Sequence, residues 1–271
     1  MHRTLPTGEG VSGKPVPHES AALHVSGDAR YIDDLPLPAD TLHAALGLSP
    51  VAHGRIRALD LSAVRAAPGV IAVLTAADIP GDNNYGPIRK DDPIFASELV
   101  ECVGQPMFAV IATSQLAARR AARLFKADIE ELPAILDIRE AIDRQSFVLP
   151  TVTVQRGDPD KALQQAPHMI AGTFSHGGQE HFYLEGQVAA ALPLEDGGVL
   201  VHSSTQHPTE VQHLVAHALN LHSHQVNVQC RRLGGGFGGK TVVYLEPLAM
   251  RLSQKSGKPV KMTMAREEVF K

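Results

Sequence analysis

The chain has 271 residues, 44% of them hydrophobic and 20% charged, with a formal net charge of −4. That length holds one large domain or two small ones, and the composition is globular, not disordered. The slight acidic excess and the 4% aromatic content argue against a nucleic-acid binder, which would show a basic face or a platform of stacking rings.

Two cysteines, Cys102 and Cys230, are too few for a disulfide framework, a four-cysteine zinc site or a cysteine-held iron–sulfur cluster. Residues 1–14 read as a flexible tail. Met1 to Pro17 is polar and rich in Gly and Pro, without the apolar core of a secretory signal. No uninterrupted apolar run approaches the roughly 20 residues of a membrane span, so a cytoplasmic location is expected.

From Leu42 onward short apolar runs alternate with helical stretches. Leu42–Leu48, Val70–Leu74, Met107–Ala112 and Lys126–Glu131 read as strands. Leu61–Ala67, stopped by Pro68-Gly69, and Gln115–Phe125, capped by Ser114, read as helices. This alternation predicts a mixed α/β (α+β) domain over residues 15–150. Pro80–Pro93 reads as a long surface loop, and Gln145–Gly157 as the boundary to a second segment, 151–271.

That segment opens on Asp158-Pro159-Asp160, an N-cap followed by Pro at the first helical position. The helix should end before Pro167. Strands are expected at His168–Ser175, Gly186–Leu192, Gln225–Cys230 and Val260–Met264. Val211, Leu214, Val215, Ala218 and Leu219 recur at helical spacing, and a last helix should run from near Pro247 to Gly257.

Nine of the fourteen histidines lie between His168 and His224. His213 and His217 stand at i, i+4, but Leu214 occupies the position where a zinc protease needs its glutamate. Both lie opposite the apolar stripe, so a solvated or partner-facing surface is the expectation over a metal site. Gly234–Thr241, GGGFGGKT, fits the nucleotide P-loop pattern. Its context does not: Arg231-Arg232-Leu233 separate it from the strand before, and VKMTM lacks the aspartate that would hold magnesium. Five glycines in six residues lose much backbone freedom on folding, so such a loop implies close approach by a backbone or ligand, its N–H groups forming an anion-binding concavity. In His176–Glu185, HGGQEHFYLE, Gln179 offers a neutral amide with donor and acceptor capacity, or a plain surface turn. His181 and Glu185 suggest acid–base work without any sign that they share a cleft.

HGGQEHFYLEGQ, SSTQHPTEVQHLVAHAL and RRLGGGFGGK, in that order and spacing, resemble the molybdenum hydroxylases, the xanthine dehydrogenase and aldehyde oxidase family. So do SGDARYIDDLP, LHAALGLSPVAHGRI and PGVIAVLTAADIPG earlier on. The resemblance runs from about Pro15 to the end, is specific at GGGFGGK after GGQEHFYLE, and is strongest to the molybdenum-binding large subunit of bacterial xanthine dehydrogenases. It implies a hammerhead-like α/β domain followed by the first part of a molybdopterin-binding domain. It implies that Gln179 stands beside the molybdenum, and that Phe237 and Gly238 belong to the loop approaching the metal. It also implies hydroxylation of an electron-poor carbon, of a purine or an aldehyde, with 2Fe-2S and FAD on a partner subunit.

The family's catalytic glutamate and purine-orienting arginine lie downstream of the matching motifs, so the chain is expected to be incomplete and inactive alone. Where xanthine-type members carry a purine-contacting glutamate after GGGFGGK, this chain has Thr241. From Thr241 on, VVYLEPLAMRLSQKSGKPVKMTMAREEVF looks closer to the aldehyde and aromatic-substrate branches. The alternatives are a remnant or assembly module without cofactor and, more distantly, a P-loop nucleotide binder at Gly234–Thr241.

Overall fold

The computed structural model describes residues 12–86, 88–241 and 245–270. The expected tail lies outside the described residues up to position 11. Among the described residues ten strands fall into two sheets. They are β1 (Leu42–Leu48), β2 (Gly54–Asp60), β3 (Val70–Leu74), β4 (Leu99–Val100), β5 (Pro106–Ala112), β6 (Lys126–Glu131), β7 (Val188–Pro193), β8 (Val199–Ser203), β9 (Val226–Gln229) and β10 (Val260–Thr263). The larger sheet has the order β3-β5-β1-β10-β7-β8-β9, and the smaller the order β4-β2-β6. β1 pairs with β10 and β8 with β9 in parallel; the remaining pairs are antiparallel.

The helices are α1 (Ala21–Ser26), α2 (Ser62–Arg65), α3 (Gln115–Ala121), α4 (Ile138–Asp143), α5 (Pro159–Gln164), α6 (Pro208–Leu219), α7 (Glu246–Ser256) and α8 (Arg266–Val269). One core joins α6 and α7 to a face of the large sheet, through Val211, Leu214, Val215, Leu248 and Leu252 against Ala189, Val201, Ala109 and Met262. A second core lies on the other face, where Val64, Ala118 and Ala121 meet Val73, Phe108 and Val110. β1 feeds both, with Ala44 and Leu46 on one side and Ala45 on the other. Burial on two faces is the reason β1 and β5 read as continuous apolar runs without polar alternation.

The expected ends mostly hold for local reasons. Asp158 accepts from the Lys161 N–H at 3.0 Å and Pro159 takes the first turn of α5. The five stripe residues of α6 are all buried, while His213 and His217 face solvent. Asn220 and Gly257 close α6 and α7 in the left-handed conformation, which these residue types adopt most readily.

Three expectations fail. Residues 168–175 form no strand; they run exposed, with Ile170 fully accessible and Phe174 86% exposed. Their apolar alternation has no partner strand among the described residues. The helix expected over Gln115–Phe125 ends at Ala121, where the chain turns to enter β6. That expected over Leu61–Ala67 shortens to Ser62–Arg65. β2, β4 and β8 were not anticipated: β2 exposes Arg55 and Arg57, β4 is only two residues long, and β8 is short and alternates around His202.

Two alanine replacements on α6 separate its faces. Leu214→Ala should lower the unfolding free energy by about 2–5 kcal/mol, whereas His217→Ala should change it by no more than about 0.5 kcal/mol. Urea denaturation followed by far-UV circular dichroism checks both.

Candidate functional site

The site stands at one edge of the large sheet. β8 and β9 are parallel neighbours joined through α6, so their carboxyl ends point the same way. β7 is antiparallel to β8, which brings the residues before β7 to that same edge. In open α/β sheets ligands bind outside the carboxyl ends of such strands. Three segments converge there: Tyr183–Gln187, Ser204–Gln206 and the glycine-rich loop Gly234–Thr241.

Their contacts fix the loop tightly. The Lys240 side chain is fully buried, with Nζ 3.2 Å from Oε2 of Glu185. The same Oε2 accepts from the Gly234 N–H at 2.8 Å. Lys240 Nζ also lies 4.8 Å from the centroid of the Tyr183 ring, a cation–π geometry. Burial pushes the Lys240 ammonium below the ordinary lysine range, and the neighbouring Glu185 carboxylate offsets part of that. From the other side Gln187 Nε2 donates to the Gly239 carbonyl at 2.8 Å and to the Tyr183 hydroxyl at 3.1 Å.

Gln206 forms the third support. Its Oε1 accepts from the N–H groups of Gly238 at 2.9 Å and Lys240 at 3.3 Å. Both partners are donors, so the amide orientation is fixed by chemistry. Its NH2 group has no partner among the described residues. Its own backbone N–H donates to the Lys240 carbonyl at 2.9 Å.

Most of the glycines answer to these contacts. A methyl group at Gly234 would come within 2.4 Å of Glu185 Cβ, at Gly236 within 2.5 Å of Gln206 Oε1, and at Gly239 within 2.7 Å of Tyr183 Cε1. The loop backbone is pressed onto three side chains, and no Cβ fits between. Phe237 is the exception. It has a side chain and a left-handed backbone (φ 53°), and the residue is 75% exposed. The N–H groups of Gly235, Gly236 and Phe237 carry no hydrogen bond among the described residues. A strained, exposed aromatic at the tip of a rigid loop is a feature that collects at ligand sites.

The expected site residues are placed as follows. Phe237 and Gly238, the latter with φ 98°, sit together at the loop tip. Thr241 is exposed, and its hydroxyl donates to the Gly238 carbonyl at 2.9 Å, closing the loop on itself. Gln179 lies in the exposed stretch before Tyr183, without a hydrogen bond to the loop. Two other glutamines touch the loop, Gln187 at the Gly239 carbonyl and Gln206 at the Gly238 and Lys240 N–H groups; both lie inside motifs that carried the resemblance, but neither was singled out as a site residue.

Glu185 is held by Lys240 and the Gly234 N–H, while the His181 ring lies against the loop at Gly239. The nucleotide P-loop reading is overturned. Lys240, which would have to reach a phosphate, is buried against Glu185. No group of three or more metal-ligating side chains occurs among the described residues, His213 and His217 included.

Replacing Lys240 by Met strands the Glu185 charge in a buried setting, which should cost about 3–5 kcal/mol of stability. The double variant Lys240→Met/Glu185→Leu should lose clearly less than the sum of the two single changes. Chemical denaturation of the four proteins, arranged as a double-mutant cycle, measures the coupling.

Residues 26–133 match the aldehyde oxidase and xanthine dehydrogenase a/b hammerhead domain, and residues 142–271 match the molybdopterin cofactor-binding domain. The chain is 38% identical over 274 residues to the xanthine dehydrogenase/oxidase of Gallus gallus, covering 99% of this chain and 20% of that protein. It is 41% identical over 273 residues to xanthine dehydrogenase 2 of Arabidopsis thaliana, covering 98% and 20%. It thus spans about a fifth of the length of these curated relatives. Its fold superimposes on the aldehyde oxidoreductase from Desulfovibrio gigas with a TM-score of 0.84 at 28% identity, covering 93% of this chain and 30% of that one. Quinoline 2-oxidoreductase from Pseudomonas putida 86 gives 0.80 at 28% identity, covering 94% and 35%. Sheet, glycine loop and both domain matches agree, and the chain belongs to the molybdenum hydroxylase family of xanthine dehydrogenases and aldehyde oxidases, as an N-terminal region of the large subunit.

Proposed function

We propose that this chain supplies one wall of a molybdenum–molybdopterin site in a hydroxylase acting on an electron-poor carbon, in a purine such as hypoxanthine or in an aldehyde. Phe237 carries this reading: an exposed ring in left-handed backbone, on a loop locked from behind by Lys240–Glu185 and from the side by Gln206. The donor set suits an oxo-type centre. Gln206 has a free NH2 group, and three loop N–H groups have no partner among the described residues. All are neutral donors suited to an anionic or oxo ligand.

When bound, the cofactor supplies oxygen transfer and two-electron oxidation. The chain's residues orient and shield. Gln206 donates toward the ligand while its carbonyl end stays pinned, and Gln179, in the exposed run before Tyr183, would be the second amide if further polypeptide brings that run to the loop. Phe237 covers the ligand with an apolar ring and keeps water off it, and Gly238 supplies the positive φ that turns the peptide there. Lys240 moves no proton, because it is buried in its ion pair. Thr241 borders the substrate side with a hydroxyl and no charge, which favours an aldehyde over a purine.

Gln179, Phe237, Gly238 and Thr241 are all exposed. The opposite wall and the general base therefore come from further polypeptide, and this chain alone does not turn over substrate. Electrons leave through 2Fe-2S and FAD carried by a partner subunit. The hammerhead-like unit is assigned to 15–150 and the cofactor-binding unit to 151–271; the domain matches at 26–133 and 142–271 support two such units in that order. Both cysteines are free thiols, which suits a reducing cytoplasmic setting. Among the described residues no helix is long and apolar enough to cross a membrane.

The deciding measurement is molybdenum per chain in the assembled enzyme purified from its host. Near-stoichiometric metal is expected. Gln206→Ala should lower turnover about 10- to 100-fold, and a smaller loss for Gln179→Ala would assign the leading amide to Gln206. A metal-free protein would hand the case to the assembly-module alternative. Thr241→Glu should shift relative kcat/KM from aldehyde toward hypoxanthine by about tenfold, read by steady-state kinetics on both substrates.

A further inference from the structure

A second concavity lies where the stretch after β9 meets the segment that precedes β1. It encloses about 380 Å³. Arg30, Arg231 and Arg232 line it together with His202, while Tyr31, Ile32 and Leu35 supply an aromatic and aliphatic wall. Asp28 is the one carboxylate in the lining, and its Oδ2 already accepts from the Ser26 hydroxyl at 2.7 Å.

The guanidinium groups are left poorly matched. Among the described residues none of the three arginines forms an ion pair. Arg232 donates from Nη1 to the Arg30 carbonyl at 3.2 Å, but its Nε is buried without a partner. Three cations around one cavity with a single opposing carboxylate repel one another, and a buried donor without an acceptor is costly. An anion in the cavity relieves both. Arginine's planar fork favours carboxylate and phosphate oxygens, and can take them bidentately.

We propose that this cavity binds a small organic oxyanion, a carboxylate or phosphate on a flat apolar body, with the charge among Arg30, Arg231 and Arg232 and the body against Tyr31, Ile32 and Leu35. The site is distinct from the Phe237 loop and does not depend on the cofactor reading. His202 gives it an internal reporter. Burial first, and then the Arg231 charge, hold the imidazole below the ordinary histidine range. An anion that neutralises Arg231 removes the second influence and raises the His202 pKa.

The test is calorimetric titration of the full chain with benzoate, phenyl phosphate and inorganic phosphate, each up to about 10 mM, with His202 followed by NMR across pH. One equivalent of benzoate or phenyl phosphate should bind, and saturation should raise the His202 pKa. Preference for one of the two identifies the headgroup. Arg231→Gln, a change at an exposed side chain, should weaken binding about tenfold or more. Tyr31→Ala should weaken the aryl ligands and leave inorganic phosphate unaffected. Failure of both aryl anions to bind, undiminished binding in Arg231→Gln, or inorganic phosphate binding as tightly as phenyl phosphate would each overturn the proposal.

Discussion

The buried pair between Lys240 and Glu185 is the constraint on which the site depends. An ammonium and a carboxylate taken out of water lose hydration worth several kcal/mol each, and recover it only if geometry and extra hydrogen bonds are good. Here Glu185 receives both Lys240 and the Gly234 N–H, while the Tyr183 ring lies close to the ammonium. A hydrophobic pair of the same volume could be as stable. What the ion pair adds is position: its two charges must meet, and they lie on segments 55 residues apart. The glycine loop is thereby anchored at both ends to the start of β7.

That anchoring explains the glycines in a way that ligand contact alone would not. Close approach of the loop backbone to Tyr183, Glu185 and Gln206 leaves no room for Cβ atoms at Gly234, Gly236 and Gly239. Within the same loop residue 237 takes left-handed backbone. A phenylalanine there bears strain that a glycine would not, and its ring is turned outward instead of into the core. Packing accounts for the loop's shape, and the exposed ring is left as the part that packing does not explain.

The strand runs were legible where both faces of a sheet are buried. β1 and β5 match their apolar runs to within a residue, since tertiary packing and local pattern agree there, whereas β6, KADIEE, falls where expected although most of it is exposed. Residues 168–175 carry the same kind of run and form no strand, because a strand exists only through its neighbour and none is present among the described residues. The glycine loop was conspicuous in the sequence, and so was Phe237. Gln206 was not. Its importance comes from two backbone N–H groups more than thirty residues away, and nothing in a single polar residue between a strand and a helix announces such partners. Lys240 illustrates the converse. The GGGFGGKT pattern suggested a phosphate ligand, and only the position of Glu185 shows that its charge is spent inside the protein.

The large sheet interleaves the two halves of the chain: β1 from the first pairs in parallel with β10 from the second. The hammerhead and cofactor-binding segments matched by the family are therefore not independent beads. Displacing β10 would disturb β7, which carries Tyr183–Gln187 at its entrance, and through them the loop. A core built from distant segments thus holds the glycine loop still, while the exposed run before Tyr183 remains open to further polypeptide. Rigidity on the inner side and exposure on the outer side are the properties expected of one wall of a shared site. The loop can be preorganised before anything docks against it, so the ordering entropy is met during folding and not at binding.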